Sequence, residues 1–123
     1  MTEERPIFDI PIFHKTYELY KLLSSYQDLI PKKHRYTLWQ KCANTALSLL
    51  EGVIATSHSK GAERTPVLQH ISRILDLLKV LIRLAHDTGA LRHAHYLAIQ
   101  SLLQEIGKMI GGWLKFAPHS ASL

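Results

Sequence analysis

An all-α fold, an antiparallel up-down-up-down four-helix bundle, is what this sequence of 123 residues predicts, and three observations predict it. Apolar residues recur at spacings of three and four and do not alternate as a half-buried strand would require. Proline, glycine and polar clusters divide the chain into four such periodic segments. The connections between them are short, which places consecutive helices antiparallel. A chain of this length makes one domain with a sizeable core. The expected organisation is an irregular arm over residues 1–13, the bundle over 14–117 and a flexible tail over 118–123.

The first helix is expected from His14 to Leu29, with Tyr17, Leu19, Tyr20, Leu22, Leu23 and Tyr26 on its apolar side. Pro31 ends it, because a proline inside a helix loses a hydrogen bond and clashes with the preceding turn. The second helix is expected from Lys33 to Ser57, with Leu38, Trp39, Cys42, Ala46, Leu49, Leu50, Val53 and Ile54 facing inward. SHSKGAERTP, residues 57–66, reads as a loop broken at Gly61. Thr65 suits the N-cap of the next helix and Pro66 its first position. That third helix runs to Asp87, and DTGA closes it with Gly89 available for a left-handed cap. The fourth is expected from Arg92 to Phe116, before Pro118.

Two helices carry more than a bundle needs. In the third, Gln69, Ser72, Arg73, Asp76, Lys79 and Arg83 occupy an arc of only roughly 120° at 100° per residue. Most of the remaining circumference is apolar, from Val67 and Leu68 to Ile82 and Leu84. A core-facing stripe needs little more than about 100°. The excess is expected to be covered by a second copy of the chain, the alternative being that this is simply the most buried helix of a monomer. In the fourth, EIGKMIGGWLKF sets Gly107 and Gly111 on one side, next to Gly112. Each mid-helix glycine costs about 1 kcal/mol relative to alanine, so close approach of another backbone is expected there, from the same chain or a neighbour. Trp113 falls on the apolar stripe with Leu102, Ile106 and Met109 and reads as core or interface.

Little in the sequence resembles catalytic machinery. Cys42, the single cysteine, lies among Trp39, Ala43 and Ala46 and reads as a buried, inert thiol in a reducing compartment. No glycine-rich phosphate loop and no paired carboxylates appear. Glu51 and Glu105 stand in apolar runs and are expected to pair with a nearby arginine. Among eight histidines, His93 and His95 are two apart and diverge. His58, His70, His86 and His119 lack a partner at ligand spacing, since Asp87 is turned about 100° from His86 on a helix. No enzyme, no metal and no cofactor are expected. IFDIPIF, residues 7–13, is interrupted by Asp9 and Pro11 and is too short for a secretory signal. No run approaches the roughly 20 apolar residues of a membrane span, so a soluble cytoplasmic protein is expected.

Charge placement is more informative. Basic residues exceed acidic ones by five, which fits nucleic acid, an acidic protein or an anionic surface as partner. Between Asp28 and Glu51 there is no acid, while Lys32, Lys33, Arg35 and Lys41 all fall there, in IPKKHRYTLWQK at residues 30–41. Lys33 and Arg35 are placed in the first turn of the second helix, where the helix dipole disfavours cations by roughly a few tenths of a kcal/mol each. That local violation favours phosphate contacts beside a helix N-terminus, the alternative being a solvated corner with no partner. Tyr36 is free to stack on a base, whereas Trp39 turns inward. Arg73, Lys79 and Arg83 share the polar arc of the third helix, diluted by Asp76.

Four stretches, IPKKHRYTLWQK (30–41), LLEGVIAT (49–56), LIRLAHDTGAL (81–91) and LLQEIGKMIGGWLK (102–115), resemble the four-helix-bundle accessory proteins of diversity-generating retroelements, called Avd. That family is related to the four-helix proteins encoded in intervening sequences of bacterial 23S ribosomal RNA genes. The resemblance spans residues 14–116 and implies a ring-shaped homopentamer with a positively charged surface and no active site. It implies binding to RNA, with DNA as a second candidate, and partnership with the retroelement's reverse transcriptase, which copies a template RNA with adenines misread. The matching basic positions are Lys32, Lys33, His34, Arg35, Lys41 and Arg83. Lys33, Arg35 and Lys41 are the expected phosphate contacts, while Arg83 could instead pair with Glu51 or Asp87. Two other readings stay open: an intervening-sequence-type bundle with no reverse transcriptase, and a bundle whose basic corner meets an acidic protein.

Overall fold

The computed structural model describes residues 10–115, and they hold helices and turns but no strand. Four long helices, α1 (Pro11–Ser25), α3 (Leu38–His58), α4 (Arg64–Asp87) and α5 (His93–Lys115), are joined by the single turn α2 (Lys32–Arg35) and by short 3-10 segments. α1 packs on α3 and α5, and α4 packs on the same two helices, so α1 lies diagonal to α4 across a four-cornered bundle.

One repeat explains this architecture. Among the buried positions of α3, Trp39, Cys42, Ala46, Leu49, Val53 and Thr56 are separated by three and four residues in alternation. α4 repeats the pattern with Leu68, Ile71, Leu75, Leu78, Ile82 and Ala85, and α5 with Ile99, Leu103, Ile106 and Ile110. α1 does so with Ile12, Thr16, Leu19 and Leu23. A 3.5-residue apolar period is the seam along which helices pack nearly antiparallel at a shallow angle. Among the described residues Thr16, Thr45 and Thr56 are the buried polar ones, and each hydroxyl donates to the carbonyl four residues back. No buried side-chain donor or acceptor among the described residues lacks a partner.

The helix ends depart from the sequence reading in instructive ways. α1 begins at Pro11, three residues before the expected His14, because Pro11 is tolerated at the first helical position while Ile12 and Phe13 are buried in the core. Residues 1–9 of the expected arm and the tail lie outside the described residues. α1 ends at Ser25, and the chain continues to Leu29 as a 3-10 turn. α4 begins at Arg64, so Thr65 is inside the helix and Glu63 holds the N-cap position with no side-chain cap. Pro66 then falls in the first turn, where its missing N–H would have had no partner in any case. At the other end Gly89 adopts φ +81, its N–H bonds to the His86 carbonyl, and the Leu91 N–H bonds to that of Ala85, closing α4 as expected.

The fourth-helix glycines do not bring backbones together within the chain. A Cβ at Gly111 or Gly112 would meet open space, and one at Gly107 only ordinary contacts with Leu75 and Lys79. The close approach is at Gly52 of α3, where a Cβ would collide with Cγ2 of Ile71 on α4. Trp113 is half-buried against the core, with Arg64 4.9 Å over its ring.

Candidate nucleic-acid interface

Antiparallel order gathers the end of α1, α2, the start of α3 and the α4–α5 turn at one end of the bundle. The ring of Tyr26, after α1, stacks 4.0 Å from that of His95 on α5 and ties the two corners together. Lys32, Lys33 and Arg35 in α2, Lys41 in the first turn of α3 and Arg83 in the last turns of α4 lie toward this end.

The second expected helix is interrupted. Lys32–Arg35 form one turn, Thr37 leaves the helical region at φ −119 and ψ −94, and α3 starts only at Leu38. Arg35 braces this turn against the chain before it: its Nε donates to the Ile30 carbonyl at 3.2 Å and its Nη2 donates to the carbonyls of Ile30 at 2.9 Å and Asp28 at 3.1 Å. A guanidinium presents its donors in a fixed fork, and here the fork clamps the preceding turn. Lys33 and Arg35 therefore do not stand at the N-terminus of a long helix. Of the Arg35 guanidinium nitrogens only Nη1 bonds no described residue.

Lys32, Lys33 and Lys41 are exposed, and none forms an ion pair with a described residue. His34 is half-buried. Tyr36 is 66 % exposed, whereas Trp39 is 2 % exposed with Nε1 donating to the Leu23 carbonyl at 3.2 Å, as the sequence reading anticipated for both.

Arg83 pairs with Asp87 at 3.1 Å on the surface, not with Glu51, which is exposed. Glu105 pairs with Lys15 at 3.1 Å, so the expectation of an arginine partner for either glutamate is corrected. His86 and Asp87 do not diverge: Nδ1 lies 3.2 Å from the carboxylate, and Nε2 lies 3.0 Å from Nδ1 of His93 across the Gly89 turn. The His86 ring also stacks on Tyr96 at 4.4 Å. The His86 bond, aided by Arg83, holds the Asp87 carboxyl below its usual range, and Asp87 in turn raises Arg83. This relay fastens the α4–α5 turn. No group of three or more potential metal ligands occurs among the described residues. Cys42 is buried, and desolvation pushes its thiol up to about 12, far from a reactive thiolate.

Two concavities were missed in the sequence. A groove of about 370 Å³ between α4 and α5 is lined by Lys79, Arg83, Tyr96, Gln100 and Gln104 among others. A notch of about 200 Å³ beside the basic corner is lined by Gln27, Gln40 and Asn44 together with Tyr36. Gln40 and Asn44 follow Tyr36 at successive spacings of four, and that row of stacking and amide side chains was the available signal.

No helix of the described residues is long and apolar enough to cross a membrane. Residues 12–117 match the family model described as bAvd-like. No curated protein and no solved structure matches the chain.

Proposed function

The chain belongs to the bAvd-like family, and from that membership we propose that it is the non-catalytic accessory subunit of a diversity-generating retroelement, binding template RNA through its basic end and partnering the reverse transcriptase. The family match over residues 12–117 carries the reading. The acid-free corner supports it, because Lys32, Lys33 and Lys41 are exposed and unpaired there. These three are the primary phosphate contacts in this proposal. Arg35 adds Nη1 while its other donors hold the turn, and Arg83 joins once phosphate competes with Asp87 for its guanidinium. The active unit is a homo-oligomer, a pentameric ring by family resemblance, in which repeated weak contacts add up to useful avidity.

Co-purification with the reverse transcriptase and template RNA tests this, comparing wild type with Lys32→Glu, Lys33→Glu and Lys41→Glu combined. The expected result is that the wild type carries both partners while the charge-reversed protein, in the same oligomeric state by light scattering, loses RNA. Equal RNA retention would move the binding face elsewhere. Recovery of neither partner by the wild type would overturn the retroelement reading in favour of an intervening-sequence-type or protein-binding bundle.

A further inference from the structure

The notch beside the basic corner has a chemistry that phosphate binding does not use. Its three amide side chains, Gln27, Gln40 and Asn44, make no hydrogen bond with any described residue, although each lines the same hollow of about 200 Å³. Arg35 lines it as well, with Nη1 unengaged. Tyr20 and Tyr36 supply aromatic rings to the lining, and Tyr36 is 66 % exposed. Ala43 lies between Gln40 and Asn44 on α3, and its short side chain keeps the space open.

A carboxamide carries a donor and an acceptor side by side, the pattern that pairs with the edge of a nucleobase. An exposed tyrosine ring offers a face for the base to stack on, and proteins that read single-stranded RNA combine these two features. The hollow is smaller than the roughly 300–1,000 Å³ of pockets that enclose a drug-sized ligand, and suits one planar heterocycle. Lys41 immediately follows Gln40, and Lys32 and Lys33 precede Arg35, so cations for a backbone flank amides for a base. We propose that this notch receives one unpaired base of a single-stranded RNA whose phosphates lie on Lys32, Lys33 and Lys41. The inference rests on the nucleic-acid reading above and adds to it a contact with bases. A base-paired strand has its edge occupied and its faces stacked, so duplex RNA gains nothing from the notch.

The test compares three fluorescein-labelled probes at one salt concentration: a 12-nucleotide single-stranded RNA, the same backbone with every base removed, and a 12-base-pair RNA duplex. The full-length protein is expected to bind the base-bearing strand about tenfold more tightly than the abasic one, within the range for one stacked base. Tyr36→Ala and Ala43→Leu, which removes the ring or fills the hollow while leaving every cation, are expected to erase that preference without weakening abasic binding. Tyr36→Phe is expected to keep it. Thermal melts of each variant establish that the fold is intact. Equal binding of base-bearing and abasic strands by the wild type would overturn the base contact while leaving the phosphate surface standing. A preference that survives both Tyr36→Ala and Ala43→Leu would place the base contact elsewhere and overturn the notch. Failure of the wild type to bind any of the three probes would remove the nucleic-acid reading and this inference with it.

Discussion

The guanidinium of Arg35 holds the corner by bonding the carbonyls of Asp28 and Ile30, whereas the ammonium of Lys33, two residues earlier, bonds no described residue. The two cations therefore do different work. Arg35→Ala leaves two carbonyls without their donor and frees the turn, and is expected to lower stability by about 1–2 kcal/mol, less than a fully buried charged bond because the site is partly solvated. Lys33→Ala is expected to change stability by less than about 0.5 kcal/mol. Urea unfolding of both checks this, and equal effects would contradict the division. Sequence alone could not separate them. Both stand in one acid-free run, and the carbonyls that capture Arg35 are five and seven residues back, a distance set by the fold of the turn.

At the scale of the helix, the apolar periods were legible and the close contacts were not. Trp39, Cys42, Ala46, Leu49 and Val53 could be placed inside because spacing alone fixes which side of a helix they share. Which glycine another helix presses against depends on the partner's side chain, and that is Ile71 against Gly52, not the conspicuous Gly111. Ile71 is fully buried and has nowhere to move. Gly52→Ala is expected to destabilise, since overpacking costs about 1–3 kcal/mol while better helix propensity returns at most about 1. Gly111→Ala, facing open space, is expected to raise the stability of the protomer by up to about 1 kcal/mol. Denaturant midpoints decide, and the reverse order would show that the α3–α4 contact is misplaced. The break at Tyr36–Thr37 also escaped the sequence, because neither glycine nor proline marks it.

At the scale of the whole molecule, the wide apolar arc of α4 remains partly uncovered in a single chain. Leu77 is 45 %, Val80 63 % and Leu84 45 % exposed along one side of α4, and Leu97 on α5 is 50 % exposed. Leucine and valine at spacings of three and four make a second seam, the surface a neighbouring copy would bury. Val80→Asp with Leu84→Asp is expected to reduce the proposed oligomer to protomers by light scattering while leaving the helical content and melting of the fold in place. An unchanged mass would contradict self-association through this face. The basic end and the apolar row were both visible as composition in the sequence. Their placement was not, since only antiparallel packing brings the α1–α3 corner and the α4–α5 turn to one end, where Tyr26 meets His95.

The proposed binding of RNA phosphates at this end of the bundle is tested most directly by the salt dependence of single-stranded RNA binding. Wild type is to be compared with Lys32→Gln, Lys33→Gln and Lys41→Gln combined. Loss of three phosphate contacts predicts that the negative slope of log affinity against log salt becomes shallower by about 2 for each protomer engaged in the triple variant, at an unchanged oligomeric state. A slope that is the same in both proteins, or an affinity indifferent to salt, would contradict it.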